Sequence, residues 1–589
     1  MPKRRKDCFL GIHFDFHAMP GEEVARRFDP ASFREMLDRV KPDFLQFDTK
    51  GHAGLSSYPT SIGTRAKEIR QDLLAFLREE TTARDIALFG HHSGLFDQKA
   101  IELHPDWAVI NADGVQNQQY ISPFSPYADE LLIPQLKELA LNYGLDGAWV
   151  DGECWGVHVD YSPWAQKAYG KPAPRPEEEN YEEYREFCRQ GFFRYVTHYI
   201  EELKKVAPNF EITSNWIFSP YMPHPICVPV DFLSGDFDCG NAPISGRRNG
   251  RFFAARGQTW DLMSWGQNAL PLSWSTKNRT TKSAPQLMQE AAMIVSLGGG
   301  YQFFNIAYCG GGYLQRWAIP DWESVADFCR QRQICHGATP WSNMAVMVPN
   351  LPNDPKNTSL FQQSAPGMVA YTAWIDALCE SGFSPNVIFE SELNETDLSP
   401  YELLILPFPA EIPESYKGTV IVDGGGDEAL VWLSDGTRLA AMEVGISKQE
   451  GEPFGEIRSQ NYFEHDSVAT PAAYKQGNTY RLAFSFAEAY RKNVSTVLRN
   501  WLRSLIEDTH ISLPVKVSGS SFVEIATTRK GTDLLVSLIN MNGDPRRREV
   551  RCFDEIPPLY HLSVQVGDEI RTVERLDIHE LLIFKDYFA

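Results

Sequence analysis

Leu145-Asp-Gly-Ala-Trp-Val-Asp-Gly-Glu-Cys-Trp155 reads as a short buried strand that ends in a carboxylate, Asp151, followed at once by glycine. Similar runs recur through the first 340 residues. The expected strands are 9–17, 44–49, 86–91, 147–151, 211–215, 231–236, 259–265 and 301–306. Between them lie longer stretches with helical spacing at 31–40, 64–79, 131–143, 181–206 and 285–297. Eight short strands alternating with helices predict an α/β protein whose first part is a (β/α)8 TIM-type barrel. Ligands of such barrels meet the C-terminal strand ends. Here those ends are polar, with His13, Asp15 and His17 on the first, Asp48 and His52 on the second, and His91 and His92 on the third. Asp151, Asn215, Asp236 and Asn305 end later ones.

Beyond residue 340 the elements shorten. Strands at 345–349, 387–390, 403–407 and 419–422 and a helix at 370–381 predict a smaller doubly wound α/β domain. Residues 445–477 read as loop-rich, and 484–508 as helical. From residue 514 the alternation is β-like, with turns at Asn542-Gly543 and Val566-Gly567, which predicts a C-terminal β-sandwich. The expected domains are 1–340, 341–510 and 511–589. Asp423-Gly-Gly-Gly-Asp427 has the look of a phosphate loop, but no Lys-Ser/Thr follows it, so a turn is the better reading.

A formal net charge of −21 argues against nucleic acid or an anionic membrane as partner, and no stretch approaches the length of a membrane helix. The ten cysteines show no CxxC spacing, so neither a zinc site nor a disulfide framework is indicated. Reduced thiols in a cytoplasmic setting are expected. The basic start, Met1 to Asp7, is followed by an apolar run too short for a signal peptide.

Two carboxylates at the ends of nearby strands suit hydrolysis of a glycosidic bond with retention. One attacks the anomeric carbon and the other supplies and removes a proton, at a separation of about 5–5.5 Å. Asp151 is the candidate nucleophile, although an aspartate before glycine is also a common turn or helix cap. Asp236, ending 229–236, is the candidate acid/base. Asp238, Asp231 and Glu153 are its rivals, each of which could equally be a solvated loop charge. His13, Asp15 and His17 repeat at period two and so share one face of the first strand. Two His and one Asp could hold zinc or iron. A metal-dependent amidohydrolase barrel would also need His at the fifth and sixth strand ends and Asp at the eighth. Asn215, Asp236 and Asn305 stand there, so hydrogen bonding to sugar hydroxyls is the better use, with no metal and no cofactor.

In strand order these residues resemble the α-L-fucosidases of the retaining (β/α)8 class. Leu10-Gly-Ile-His-Phe-Asp-Phe-His17 is similar to their first strand. Thr49-Lys-Gly-His-Ala-Gly-Leu55 is similar to the end of their second, and Trp149-Val-Asp151 matches their Trp-x-Asp nucleophile segment. Asp231-Phe-Leu-Ser-Gly-Asp236 has the spacing of their acid/base segment with Asp for Glu. Thr259 to Gly266 and Gly298 to Asn305 resemble the last two strands. Gly51-His52 replaces the usual double His, and Ser214-Asn-Trp216 replaces Asn-Asp-Arg. These departures place the chain nearer the separate fucosidase family whose first strand reads His-Phe-Asp-Phe-His. The later domains resemble those of multidomain β-galactosidases, whose middle domain supports oligomers. The resemblance implies a retaining exo-α-L-fucosidase acting on terminal fucosides, with Asp151 as nucleophile and Asp236 as acid/base. His13, Asp15, His17 and His52 would hold ring hydroxyls, and Trp149, Trp155 and Trp216 would flank the apolar face. It also implies a homo-oligomer. A β-galactosidase or other exo-glycosidase on the same scaffold, and a non-catalytic sugar-binding protein, are the alternatives.

Overall fold

The computed structural model describes residues 3–21, 23–237, 242–269, 279–306, 312–350, 358–361, 366–460, 467–543 and 553–589. Eight parallel strands form the barrel: β1 (Leu10–Asp15), β2 (Phe44–Lys50), β3 (Ala87–Ser93), β4 (Gly147–Asp151), β5 (Glu211–Ser214), β6 (Leu233–Phe237), β7 (Trp260–Trp265) and β8 (Gly300–Ile306). Ladder pairing runs β5-β4-β3-β2-β1-β8-β7-β6. The seam between β5 and β6 is closed by separate backbone bonds, from Asp231 N–H to the Ile212 carbonyl (3.0 Å) and from Trp216 N–H to the Ser234 carbonyl (3.1 Å). Every strand is covered on both faces, which is why each reads as an apolar run. Phe44, Phe89, Trp149, Phe232, Met263, Trp265 and Phe304 fill the interior.

The helices start where capping residues permit. Helix α1 (Pro30–Val40) is capped by Asp29, whose carboxylate accepts from the N–H groups of Ala31 and Ser32. Helix α2 (Leu73–Thr82) is capped by Asp72. It begins later than the expected 64–79, because Thr64–Arg65 and Glu68–Ile69 are extended. Helices α3 (Ile133–Asn142) and α4 (Tyr181–Lys204) follow β3 and β4. No helix lies between β5 and β6. Residues 215–232 are turns followed by irregular chain that leads from one strand to the next. Helices α5 (Ala242–Ala254), α6 (Ala284–Val295) and α7 (Ile319–Arg330) complete the ring.

The α/β unit has a mixed sheet. Its strands Met344–Val348, Asn386–Phe389, Leu403–Leu406, Thr419–Val422 and Thr479–Leu482 are parallel, with α8 (Pro366–Glu380) packed against it. Residues 445–477 are not the expected loop. They include strands Glu452–Phe454, Ile457–Gln460, Ser467–Thr470 and Ala473–Gln476. The Asp423-Gly-Gly-Gly segment is irregular chain between two strands rather than the expected turn. The Asp423 carboxylate itself accepts from the N–H groups of Phe486 and Ala487 at the start of the next helix, where a phosphate would have bound. Two antiparallel sheets built mostly from residues 515–584 form the sandwich, with the Val566-Gly567 hairpin as expected. Arg247 on α5 meets Glu524 of the sandwich at 2.6 Å and Asp376 and Glu380 of α8 at 3.3 and 3.2 Å. This buried cluster fixes the helix behind β6.

Candidate active site

Asp151 ends β4 and Asp236 lies near the end of β6, so two carboxyl groups converge at the C-terminal mouth. Asn215, the first residue after β5, joins them. Its Nδ2 donates to Asp151 Oδ1 at 2.8 Å and reaches Asp236 Oδ1 at 3.4 Å. The nitrogen must face these acceptors because the amide oxygen cannot donate. One shared nitrogen keeps those two oxygens at most about 6.2 Å apart, which admits the roughly 5–5.5 Å of a retaining carboxylate pair.

The two groups are held in different environments. Burial alone would raise the Asp151 carboxyl. His52 Nε2 at 3.3 Å, His91 Nε2 at 3.2 Å and the Asn215 bond instead hold it well below the usual carboxylate range. Among the described residues no cation stands beside Asp236. It accepts from the indole N–H groups of Trp216 and Trp265, both at 3.1 Å. Burial, and then the charge on Asp151, push its carboxyl above the usual value. The pair is therefore polarised, one carboxyl ionised and the other more ready to carry a proton.

Below the mouth lies a third carboxyl group, Asp48 on β2, which is fully buried. Burying a charge requires partners, and Asp48 has four. His13 Nε2 and His17 Nε2 each approach at 3.3 Å, Phe16 N–H donates at 2.8 Å, and His91 Nδ1 contacts Oδ1. His17 also meets Asp15 at 2.8 Å. Burial would lower its proton affinity, but Asp15 and Asp48 outweigh that and raise it to about 9. His52 is pushed by burial down to about 4, and its Nδ1 lies 2.7 Å from Ser93 Oγ. Ser93 can thus donate to a neutral His52 whose other nitrogen donates to Asp151. His13, Asp48 and His91, and likewise Asp15, His17 and Asp48, bring ligand-type atoms within 4.8 Å of one another. Of these pairs His13–Asp48 is a hydrogen bond, whereas His17 and His91 meet Asp48 as close ion-pair contacts.

Several expected contacts are displaced. His13 is 1% exposed. Its Nδ1 faces Met263 Sδ and the Gln46 amide, and its Nε2 faces Asp48, so it supports the floor and does not reach the mouth. Trp149 is also 1% exposed and points into the barrel, stacked on His91 with centroids 4.8 Å apart. Trp216 is buried against Tyr221 and Phe253, and its indole N–H holds Asp236. Glu153 does not face the mouth. Gly152, at φ +65°, turns the chain, and Glu153 runs behind the barrel. There its oxygens accept from Ser214, Tyr195, Tyr199 and Leu95 N–H, and burial raises its carboxyl to about 8. A side chain at Gly94 would collide with it. Asp238 lies outside the described residues, and Asp231 pairs with Lys204 at 2.7 Å. Asp15, His17, His52 and Trp155 remain around the mouth, with Trp155 beside His52 and Phe96. Sequence reading assigned no role to Asp48, His91, Asn215 or Trp265. The usable signal was a charged residue inside an otherwise apolar strand.

Gly235 is required by the Trp216 indole, since an added Cβ would lie 2.6 Å from two ring atoms. Gly235→Ala is expected to push the ring off Asp236 and to cost roughly 1–3 kcal/mol of stability. Loss of a donor to the charged form raises the Asp236 pKa further. The alkaline limb of the kcat/KM profile should therefore move to higher pH, which a pH series on the variant checks.

No family model matches the chain, and no curated protein sequence matches it. Solved structures do. Alpha-L-fucosidase isoenzyme 2 from Paenibacillus thiaminolyticus superposes with a TM-score of 0.80 at 16% identity, over 98% of this chain and 99% of that one. Beta-galactosidase from Bacillus circulans sp. alkalophilus gives 0.64 at 14% identity, over 99% of both chains. A beta-galactosidase from the Antarctic haloarchaeon Halorubrum lacusprofundi gives 0.64 at 13%, over 96% of this chain and 100% of that one. At these identities the likeness establishes the fold: the barrel, the α/β unit and the β-sandwich in one chain, as expected from the sequence.

Proposed function

We propose that this chain is a glycoside hydrolase, and specifically a retaining exo-α-L-fucosidase. The observation that carries the reading is the polarised Asp151–Asp236 pair bridged by Asn215. Asp151 attacks C1 of the terminal sugar while Asp236 gives its proton to the departing oxygen. This leaves a glycosyl ester on Asp151. Asp236, now a carboxylate, takes a proton from water, and the hydroxide so formed attacks C1 and frees Asp151. Asp15, His17 and His52 contribute polar groups for ring hydroxyls, and Trp155 a partly exposed aromatic wall. No cofactor enters this scheme.

The fucoside preference is supported by the fucosidase having the higher TM-score of the structures compared, and by its span over nearly the whole of both chains. The competing reading, a β-galactosidase, draws on the galactosidase likeness. A panel of nitrophenyl glycosides at neutral pH separates the two and also tests for a non-catalytic sugar-binding protein. Cleavage of the α-L-fucoside, with α-L-fucose as the first product by proton NMR, is expected. Selective cleavage of the β-D-galactoside, or no cleavage, refutes the fucosidase assignment.

A homo-oligomer is also proposed, on the precedent that closed symmetric assemblies are common for soluble chains. A single mass near 66.7 kDa by light scattering at micromolar protein would refute it. Among the described residues no helix is long and apolar enough to cross a membrane. The seven described cysteines are all free, which fits a reducing, cytoplasmic setting.

A further inference from the structure

The surroundings of His91 dictate its protonation. The ring sits on β3 and is 3% exposed. Nδ1 faces Asp48 Oδ1, and Nε2 lies 3.2 Å from Asp151 Oδ2. An ionised carboxylate accepts but cannot donate, so a ring placed between two carboxylates is favoured in its doubly protonated, charged form. The Trp149 indole lies beneath it, 4.8 Å away and inclined by 29°, and presents the face of a π-system that favours a cation.

The other charged and titratable groups around it can be placed. From β1, the ring of His13 stands 4.7 Å away and that of His17 5.3 Å away. His13 Nδ1 faces the Gln46 amide at 3.3 Å and Met263 Sδ at 3.0 Å, and burial lowers its proton affinity. His17 is paired with Asp15 and Asp48. Asp48 comes from β2 and Asp151 from β4, and His52 touches Asp151 from the loop after β2. Among the described residues the donors to Asp236 are two indoles and an amide.

We propose that His91 is a resident imidazolium, clamped by Asp48, that keeps Asp151 ionised and so leaves the catalytic proton of the pair on Asp236. His91 is thus a positioning residue acting through Asp151. Burial alone would strip its proton, but Asp48 and Asp151 hold its proton affinity well above the ordinary histidine range. The proton assignment rests on the glycosidase reading, whereas the charge on His91 does not.

The test has two independent arms. In the ¹⁵N-histidine NMR spectrum of the wild-type protein at pH 8, the signal that disappears in His91→Gln is expected to show both ring nitrogens protonated. In Asp48→Asn that doubly protonated signature should titrate at lower pH. In the second arm, His91→Gln keeps a donor but loses the charge. The acid limb of its kcat/KM profile on an activated aryl glycoside should rise by about one pH unit or more, the shift typical of losing an opposite charge at this range. A purely structural role would lower the rate at every pH without moving the limb. Should His91→Gln not fold, Asp48→Asn carries the NMR arm alone. A neutral His91 at pH 8, an unmoved acid limb, or a stoichiometric metal ion bound by His91 and Asp48 in the purified protein overturns the inference. A wild-type protein that cleaves no glycoside overturns the glycosidase reading and the proton assignment with it, and the NMR arm then decides the charge on His91 by itself.

Discussion

Replacing Asp151 with alanine is expected to lower turnover of an aryl α-L-fucoside by roughly four orders of magnitude, about 5.5 kcal/mol of transition-state stabilisation. The size follows from what is removed. Asp151 is ionised and aimed, with His52 and His91 on Oδ2 and Asn215 on Oδ1. Without it no covalent intermediate forms, and water has no base on that face of the sugar. Azide fits where the carboxylate was and needs no base. It should restore part of the rate and give a β-configured fucosyl azide, because a single displacement from that side inverts the α centre. Asp151→Asn, which keeps the shape but not the charge, should be as slow as alanine and respond less to azide, since the cavity stays filled. Turnover near the wild-type level in Asp151→Ala, or an azide product of α configuration, removes Asp151 from the nucleophile role.

The barrel was legible because parallel strands covered on both faces read as apolar runs, and all eight were visible in that way. The missing crossover helix was not. Residues 215–232 are short of helix signals, and a missing element leaves no pattern to find. Asp72, a helix cap with a side chain free to accept, marked the true start of α2 more faithfully than the periodicity of 64–79 did. At the site, Asp151 and Asp236 were visible as carboxylates ending strands. Trp149 was misread although parity was available: it lies two residues before Asp151 on one inward face, and so one layer down inside the barrel. Glu153 was misread because a positive-φ glycine breaks that parity after Asp151. Asp48 and His91 lie far apart in the chain and touch only because β2 and β3 are neighbours. Their partnership is a property of the closed barrel, and no local spacing announces it.

Asp236→Ala is expected to discriminate between substrates by their leaving groups. The Asp236 carboxyl shares the Asn215 nitrogen with Asp151, and burial and the Asp151 charge raise its proton affinity, so it is the member of the pair suited to carry the proton. A disaccharide with an unactivated hydroxyl leaving group needs that proton as the bond breaks. Its kcat/KM should fall on the order of 10²–10⁴-fold, the range general acid catalysis supplies. A nitrophenyl fucoside departs as a stable anion and should form the glycosyl-enzyme at a much less diminished rate. Its breakdown should then be slow for want of a base, so that a burst of nitrophenol precedes a low steady state. Azide, already an anion, should relieve that second step and yield an α-configured azide, the opposite stereochemistry to the Asp151 variant. Glu153→Gln provides the contrast. Its oxygens serve four buried donors behind the barrel, so the change should lower the melting temperature and leave the leaving-group dependence intact. Wild-type kinetics in Asp236→Ala, with azide rescue and retention in Glu153→Gln or an Asp238 variant, would move the acid/base role to that residue and require the mouth of β6 to be read anew.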